Sequence, residues 1–242
     1  GELVLVCLVL LVAETVYVLF GFGAGLVAVG GLALLMPDVR DIVVVLLLIN
    51  LPPELWVVAT SWRQIRWRAV TGIGVGIAAG VPLGTWLLRW GEPTLLLVAL
   101  GAFLVLAGGP FLAAPSRRVG RWPRGTEPAA GLLSGVLAGL FGTGGPPLIL
   151  YYQLSGAEKT TFRGSLMAIF LLVSVVRLPS YAVAGLLTPE RLVSATCMLP
   201  VVAAALALGQ RIHVTVQEDS FRRMVSTALV VIGLVLVAQR LT

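Results

Sequence analysis

Three ionisable residues interrupt apolar runs long enough to cross a membrane: Glu14 in residues 3–20, Glu54 in 42–60 and Arg177 in 164–183. A charge at the centre of a span costs about 2.5 to 3.5 kcal/mol even on insertion scales, so such residues face a polar cavity or pair with one another. Arg177 suits an oxyanion, because a guanidinium presents its N–H donors in a planar fork that two oxygens can accept at once. Glu54 and Glu14 suit a different role, since each can take up a proton, or balance the arginine when no anion is bound. Asn50, one turn before Glu54 and followed by Pro52 and Pro53, marks that helix as irregular and supplies a further polar group. The plainer account of all three charges is a structural ion pair, or snorkelling toward an interface.

Glycine is the second feature with chemical consequences. In "GLFGTGGPPLILYYQLSG", residues 139–156, Gly142, Gly144 and Gly145 surround Thr143 and free the backbone, and Pro146 and Pro147 suit the first turn of a new helix. A helix that stops and restarts inside an apolar region exposes N–H groups at its new N-terminus, with partial positive charge, and near the bilayer midplane that is a site for an anion. The earlier "GFGAG", with Gly21, Gly23 and Gly25, repeats the pattern and supplies the expected second half of the site. Arg163, just before Gly164 and Ser165, is a further candidate to neutralise an anion, whereas Lys159 reads as an interface anchor. The same glycines also suit a tight helix contact or a plain kink.

The elements that must position these residues follow from composition. The 242 residues are 58% hydrophobic and 12% charged, with a mean hydropathy of +1.01, far from the soluble range. Full-length helices are expected over 3–20, 42–60, 69–88, 94–112, 164–183, 191–208 and 221–238, since about 20 apolar residues cross the roughly 30 Å of hydrocarbon. The run 3–20 reads as a span, not a cleaved leader, for it lacks a basic flank and a small-residue cleavage site. The stretches 24–36, 129–141 and 147–155 are too short to cross and flank the glycine clusters, so they read as half-helices or re-entrant arms. The lipid bilayer is therefore the first partner.

The segment 113–127, "AAPSRRVGRWPRGTE", divides the chain into a first membrane repeat, 1–112, and a second, 128–242, with a cytoplasmic linker between them. Each part opens on a glycine elbow followed by three long helices, the elbows offset by about 120 residues. Arg63, Arg66 and Arg68, and Arg117, Arg118, Arg121 and Arg124 in the linker, belong on the cytoplasmic side by the positive-inside rule. If the second elbow is re-entrant, Lys159, Arg163, Arg211, Arg222 and Arg223 return to that side, and the two repeats are inverted. The expected fold is thus an all-α integral membrane protein of two inverted repeats.

The inventory excludes other classes. The net charge of +6 sits in loops between spans, where orientation explains it without nucleic acid. Cys7 and Cys197 lie in apolar runs with no CxxC or Cys/His cluster, so no metal is expected. Intramembrane proteolysis needs a Ser/His pair, paired aspartates or HExxH, but His213 is a lone loop histidine and Asp38, Asp41 and Asp219 lie outside the spans. With no GxxxxGK[ST] either, neither an enzyme nor a cofactor is expected. Trp56, Trp62, Trp67, Trp86, Trp90 and Trp122 flank span ends as an aromatic belt does.

The segments "GFGAG" and "GLFGTGGPPLILYYQLSGAEKTTFRGSLMAIF", each opening a half of three further helices, resemble the TauE/SafE sulfite exporter family over almost the whole chain. Residues 139–170 carry most of the likeness; Ala24 in the first elbow, and Pro146 and Pro147 in the second, depart from a denser glycine run. The resemblance implies transport of sulfite, sulfonates and related small organosulfur anions across the bacterial cytoplasmic (inner) membrane. The expected function is therefore secondary transport of a small anion by alternating access. Gly23, Gly25, Asn50, Gly142, Thr143, Gly144, Gly145, Arg163 and Arg177 are the candidate substrate-binding residues, and Glu14 or Glu54 the candidate for proton coupling. An anion channel of the same fold, a non-transporting membrane scaffold, and association into homo-oligomers stay open on sequence.

Overall fold

The computed structural model describes residues 2–20, 24–36, 38–113, 125–155, 159–211 and 218–241. Among them it holds ten α-helices and no strand: α1 (Glu2–Phe20), α2 (Ala24–Ala33), α3 (Val39–Ser61), α4 (Trp67–Trp90), α5 (Pro93–Ala113), α6 (Glu127–Phe141), α7 (Gly145–Ser155), α8 (Lys159–Val183), α9 (Pro189–Arg211) and α10 (Glu218–Leu241). Every expected long run is helical, and the three short stretches are the short helices α2, α6 and α7. Within the described residues three helices are long and apolar enough to cross a membrane by length and composition, at Val39–Thr60, Trp67–Trp90 and Gly164–Val183. Prolines 52, 53, 82, 179 and 200 sit inside helices. Each removes an N–H and leaves the carbonyl four residues earlier without its usual donor, which membrane helices tolerate where neighbouring groups serve it.

The helices pack as two compact units that interleave along the chain: residues 1–43, 91–117 and 193–242 form one, and 44–90 with 118–192 the other. In the first unit α5 and α10 run antiparallel and touch through glycine, a Cβ at Gly101 coming to 2.8 Å from the Gly233 carbonyl and one at Gly108 to 2.9 Å from that of Ser226. α2 lies against the same pair, with Gly30 facing Leu104 and Ile232, and Gly31 packs on Val9 of α1. Glu14 of α1 is buried in this unit.

The second unit is built on a glycine seam. Gly76, Gly80 and Gly84 of α4 face Gly131, Gly135 and Gly139 of α6, and at Gly76, Gly80, Gly84, Gly131 and Gly139 an added Cβ would collide with a backbone carbonyl of the other helix. Both series step by four residues, one turn, so each forms a smooth stripe that lets backbones approach as only small residues allow. The contacts advance together along the two helices, which are therefore parallel. α8 runs the same way, since Gly74 meets Leu172 near one end and the Tyr181 hydroxyl reaches Gly139 near the other.

Candidate functional site

α6 ends where Gly142 takes a left-handed φ of 74°, a conformation open to glycine and strained for other residues. Thr143 and Gly144 follow outside any helix, and α7 starts at Gly145. Gly144 lies so close over α6 that a Cβ would collide with Ser134; the Ser134 hydroxyl, fully buried, donates to the Gly144 carbonyl at 2.7 Å. α7 then turns back along α6, for Tyr151 donates to the Glu127 carboxylate, at the first residue of α6, at 3.1 Å. The second elbow is thus the tip of a helical hairpin, and α8 runs in the same direction as α6.

The tip is level with Thr85, because Gly139 of α6 lies over Val81 and Thr85 of α4. That places it about 27 Å from the Trp67 end of α4 and only about 8 Å from the Trp90 end. The 15 residues of α6 reach about 22 Å.

Pro146 and Pro147 occupy the first turn of α7 and carry no N–H. The four N-terminal amides of a helix lack internal partners in any case, so the prolines break no bond, and they confine the donors at the tip to Thr143, Gly144 and Gly145. All three of these residues are buried.

One face of α8 turns to the tip. Phe170, Ser174, Arg177 and Tyr181 follow one another at intervals of four, three and four, a single helical stripe. Phe170 sits 3.8 Å from where a Cβ on Gly145 would lie. Arg177, 4% exposed, donates from Nη1 to the Gly142 carbonyl at 3.4 Å and from Nη2 to the Tyr181 hydroxyl at 2.9 Å. Tyr181 passes the interaction on, donating to the Gly139 carbonyl at 2.9 Å. The arginine and tyrosine therefore serve the negative, C-terminal end of α6, where orphan carbonyls favour a cation.

From α3, Glu54 joins the same cluster: it is buried, hydrogen-bonded by Ser174 and within the electrostatic reach of Arg177. Its Oε2 and the Oδ1 of Asn50, one turn earlier, are buried with no hydrogen-bond partner among the described residues, although buried polar atoms are nearly always satisfied. Two neighbouring turns of α3 thus present unused polar capacity.

Of the residues singled out on sequence, Asn50, Glu54, Gly142, Thr143, Gly144, Gly145 and Arg177 all belong to this unit, and Arg177 contacts the tip and acts on Glu54 through its charge. Glu14 and Gly25, the latter in α2, belong to the other unit. Gly23, with Gly21, lies outside the described residues, as does the side chain of Arg163, whose backbone is in α8. Sequence reading passed over Ser134, Ser174 and Tyr181. Their signal was present in the spacing, since Ser174 and Tyr181 stand three before and four after Arg177.

The family model described as sulfite exporter TauE/SafE matches residues 6–236. A Cupriavidus necator protein named "Probable sulfite/organosulfonate exporter TauE" is 31% identical over 219 residues, covering 88% of this chain and 85% of its own. The "Probable inner membrane transporter protein TsaS" of Comamonas testosteroni is 27% identical over 192 residues, covering 78% and 79%. No solved structure matches. With a family model spanning nearly the full length and apolar helices throughout, this chain is a multi-pass inner-membrane protein that belongs to the TauE/SafE sulfite exporter family.

Proposed function

We propose that the chain is a secondary transporter of a small anion, sulfite or an organosulfur anion such as a sulfonate, with the substrate held at the re-entrant tip. The observation that carries this reading is a buried guanidinium beside a helix break: Arg177 and the amides of Thr143, Gly144 and Gly145 lie together in an apolar unit. Charge-assisted bonds to an oxyanion are stronger than bonds to a neutral carbonyl, and at 3.4 Å the Arg177 contact to Gly142 is longer than a good N–H···O bond. An arriving anion competes well for that donor.

Glu54 is the coupling group in this proposal. A proton on it removes a charge beside Arg177 and strengthens the pull on the anion, so proton and anion are taken up together. Alternating access follows from the proposed inversion of repeats 1–112 and 128–242, with one half moving against the other. Gly23, Gly25 and Glu14 enter by their place in the first repeat, and the relatives' names supply the substrate class.

The test is uptake of sulfite and of a short sulfonate into proteoliposomes under an imposed pH gradient. Arg177→Lys keeps a charge and loses the fork, and should lower saturable uptake at least tenfold. Glu54→Gln should leave a flux that no longer responds to the gradient. Unchanged saturable uptake by Arg177→Lys removes Arg177 from the site, and an unchanged gradient response in Glu54→Gln removes Glu54 from coupling.

A further inference from the structure

A groove runs between the last turns of α4 and α8, beside the stripe of α8 that carries Arg177 and Tyr181. Its cavity measures about 570 Å³, within the range of clefts that hold a small ligand. Pro82, Trp86 and Arg89 line one wall and Val175, Pro179 and Val183 the other. We infer that this groove binds an anionic phospholipid, an acyl chain lying along the apolar wall and the phosphate at Arg89.

Four observations support it. Val183 is 86% exposed, Trp86 58% and Val175 55%, a continuous apolar surface that in a membrane-spanning chain meets hydrocarbon. Arg89 stands in the last turn of α4, its guanidinium 5.1 Å from the Trp90 ring centre, so cation and indole share the level at which headgroups lie. Thr85 also lines the groove; its hydroxyl is buried without a partner, whereas Thr15, Thr60 and Ser180 all bond back to the carbonyl four residues earlier. A hydroxyl left over in this way suits an ester carbonyl. Finally, among the described residues the lining carries a cation and no carboxylate. A second copy seated symmetrically on the groove would set Arg89 against Arg89, while a phosphodiester complements it.

The experiment titrates delipidated, detergent-solubilised full-length protein with phosphatidylglycerol and with phosphatidylcholine, read by native mass spectrometry and by thermal shift. Phosphatidylglycerol should bind about five- to tenfold more tightly, and Arg89→Gln should reduce it to the phosphatidylcholine level while Arg89→Lys restores most of the difference. Val175→Trp, a change on an exposed position that fills the groove, should weaken both lipids. Equal phosphatidylglycerol binding by wild type and Arg89→Gln overturns the inference. So does a Val175→Trp variant that changes oligomeric state with lipid binding intact, which would make the groove a contact between copies.

Discussion

The Tyr181 hydroxyl accepts from Arg177 and donates to the Gly139 carbonyl, both at 2.9 Å, so one phenol ties the buried guanidinium to the end of α6. Neither residue is satisfied by its own helix alone, and together they hold the last turn before the hairpin tip.

Tyr181→Phe should therefore cost about 1 to 3 kcal/mol, because a buried carbonyl and a guanidinium N–H both lose their partner without gaining water. Thermal unfolding in detergent measures the loss. Substrate-induced stabilisation should weaken as well, since Arg177 is no longer held in place; an unaltered shift would show that the tyrosine does not orient it.

Close backbone approach, and not glycine content, makes the α4–α6 seam. Gly80→Leu should prevent folding or lower stability by more than about 3 kcal/mol, beyond ordinary overpacking, because even a Cβ there would collide with the Leu132 carbonyl. Gly109→Ala in α5 is the contrast: its Cβ meets nothing among the described residues within 4 Å, and a gain of up to about 1 kcal/mol is expected from helix propensity. Expression yield and melting temperature of the two variants decide.

Gly145 separates packing from function. Among the described residues a Cβ there meets Ile149 and Phe170, at an ordinary 3.8 Å, so Gly145→Ala should stay within about 0.5 kcal/mol of wild-type stability. Its methyl group nevertheless stands at the proposed anion-binding amides, and uptake should fall severalfold. Uptake equal to wild type would move the substrate away from the tip.

The base of the hairpin is sensitive to acid. The Glu127 carboxyl, which precedes the apolar run of α6, is held below the ordinary value of 4.5, first by its own backbone N–H, which outweighs the opposing effect of burial, and then by Tyr151, Gly125 and the charge of Arg68. A depressed folded-state pKa adds stability that is fully present above the unfolded value and lost as pH falls through the folded one. Melting temperature should thus be flat in this respect above pH 4.5 and decline below it, with a shallower decline in Glu127→Gln. Identical acid profiles for the two proteins would mean that this carboxylate does not anchor α7.

Much of the architecture is legible along the chain. Apolar length alone located every long helix, and the paired glycines with Pro146 and Pro147 located the break at 142–144, because a left-handed turn and a fixed proline φ are local demands that only certain residues meet. The stripe of Ser174, Arg177 and Tyr181 was equally local, a matter of helical period. What sequence order obscured was the grouping of helices, since each compact unit draws on both sides of the linker 113–127.

The residues by themselves thus determined that this protein is helical, lives in lipid, breaks a helix at Gly142 and buries charge at Glu54 and Arg177, for hydropathy, backbone freedom and desolvation are properties of short stretches. Only the tertiary structure decided that Arg177 serves the end of α6, that Ser134 clamps Gly144, and that the tip sits level with Thr85. Those relations depend on how closely two backbones approach, which is set by residues far apart in the chain meeting across the α4–α6 seam.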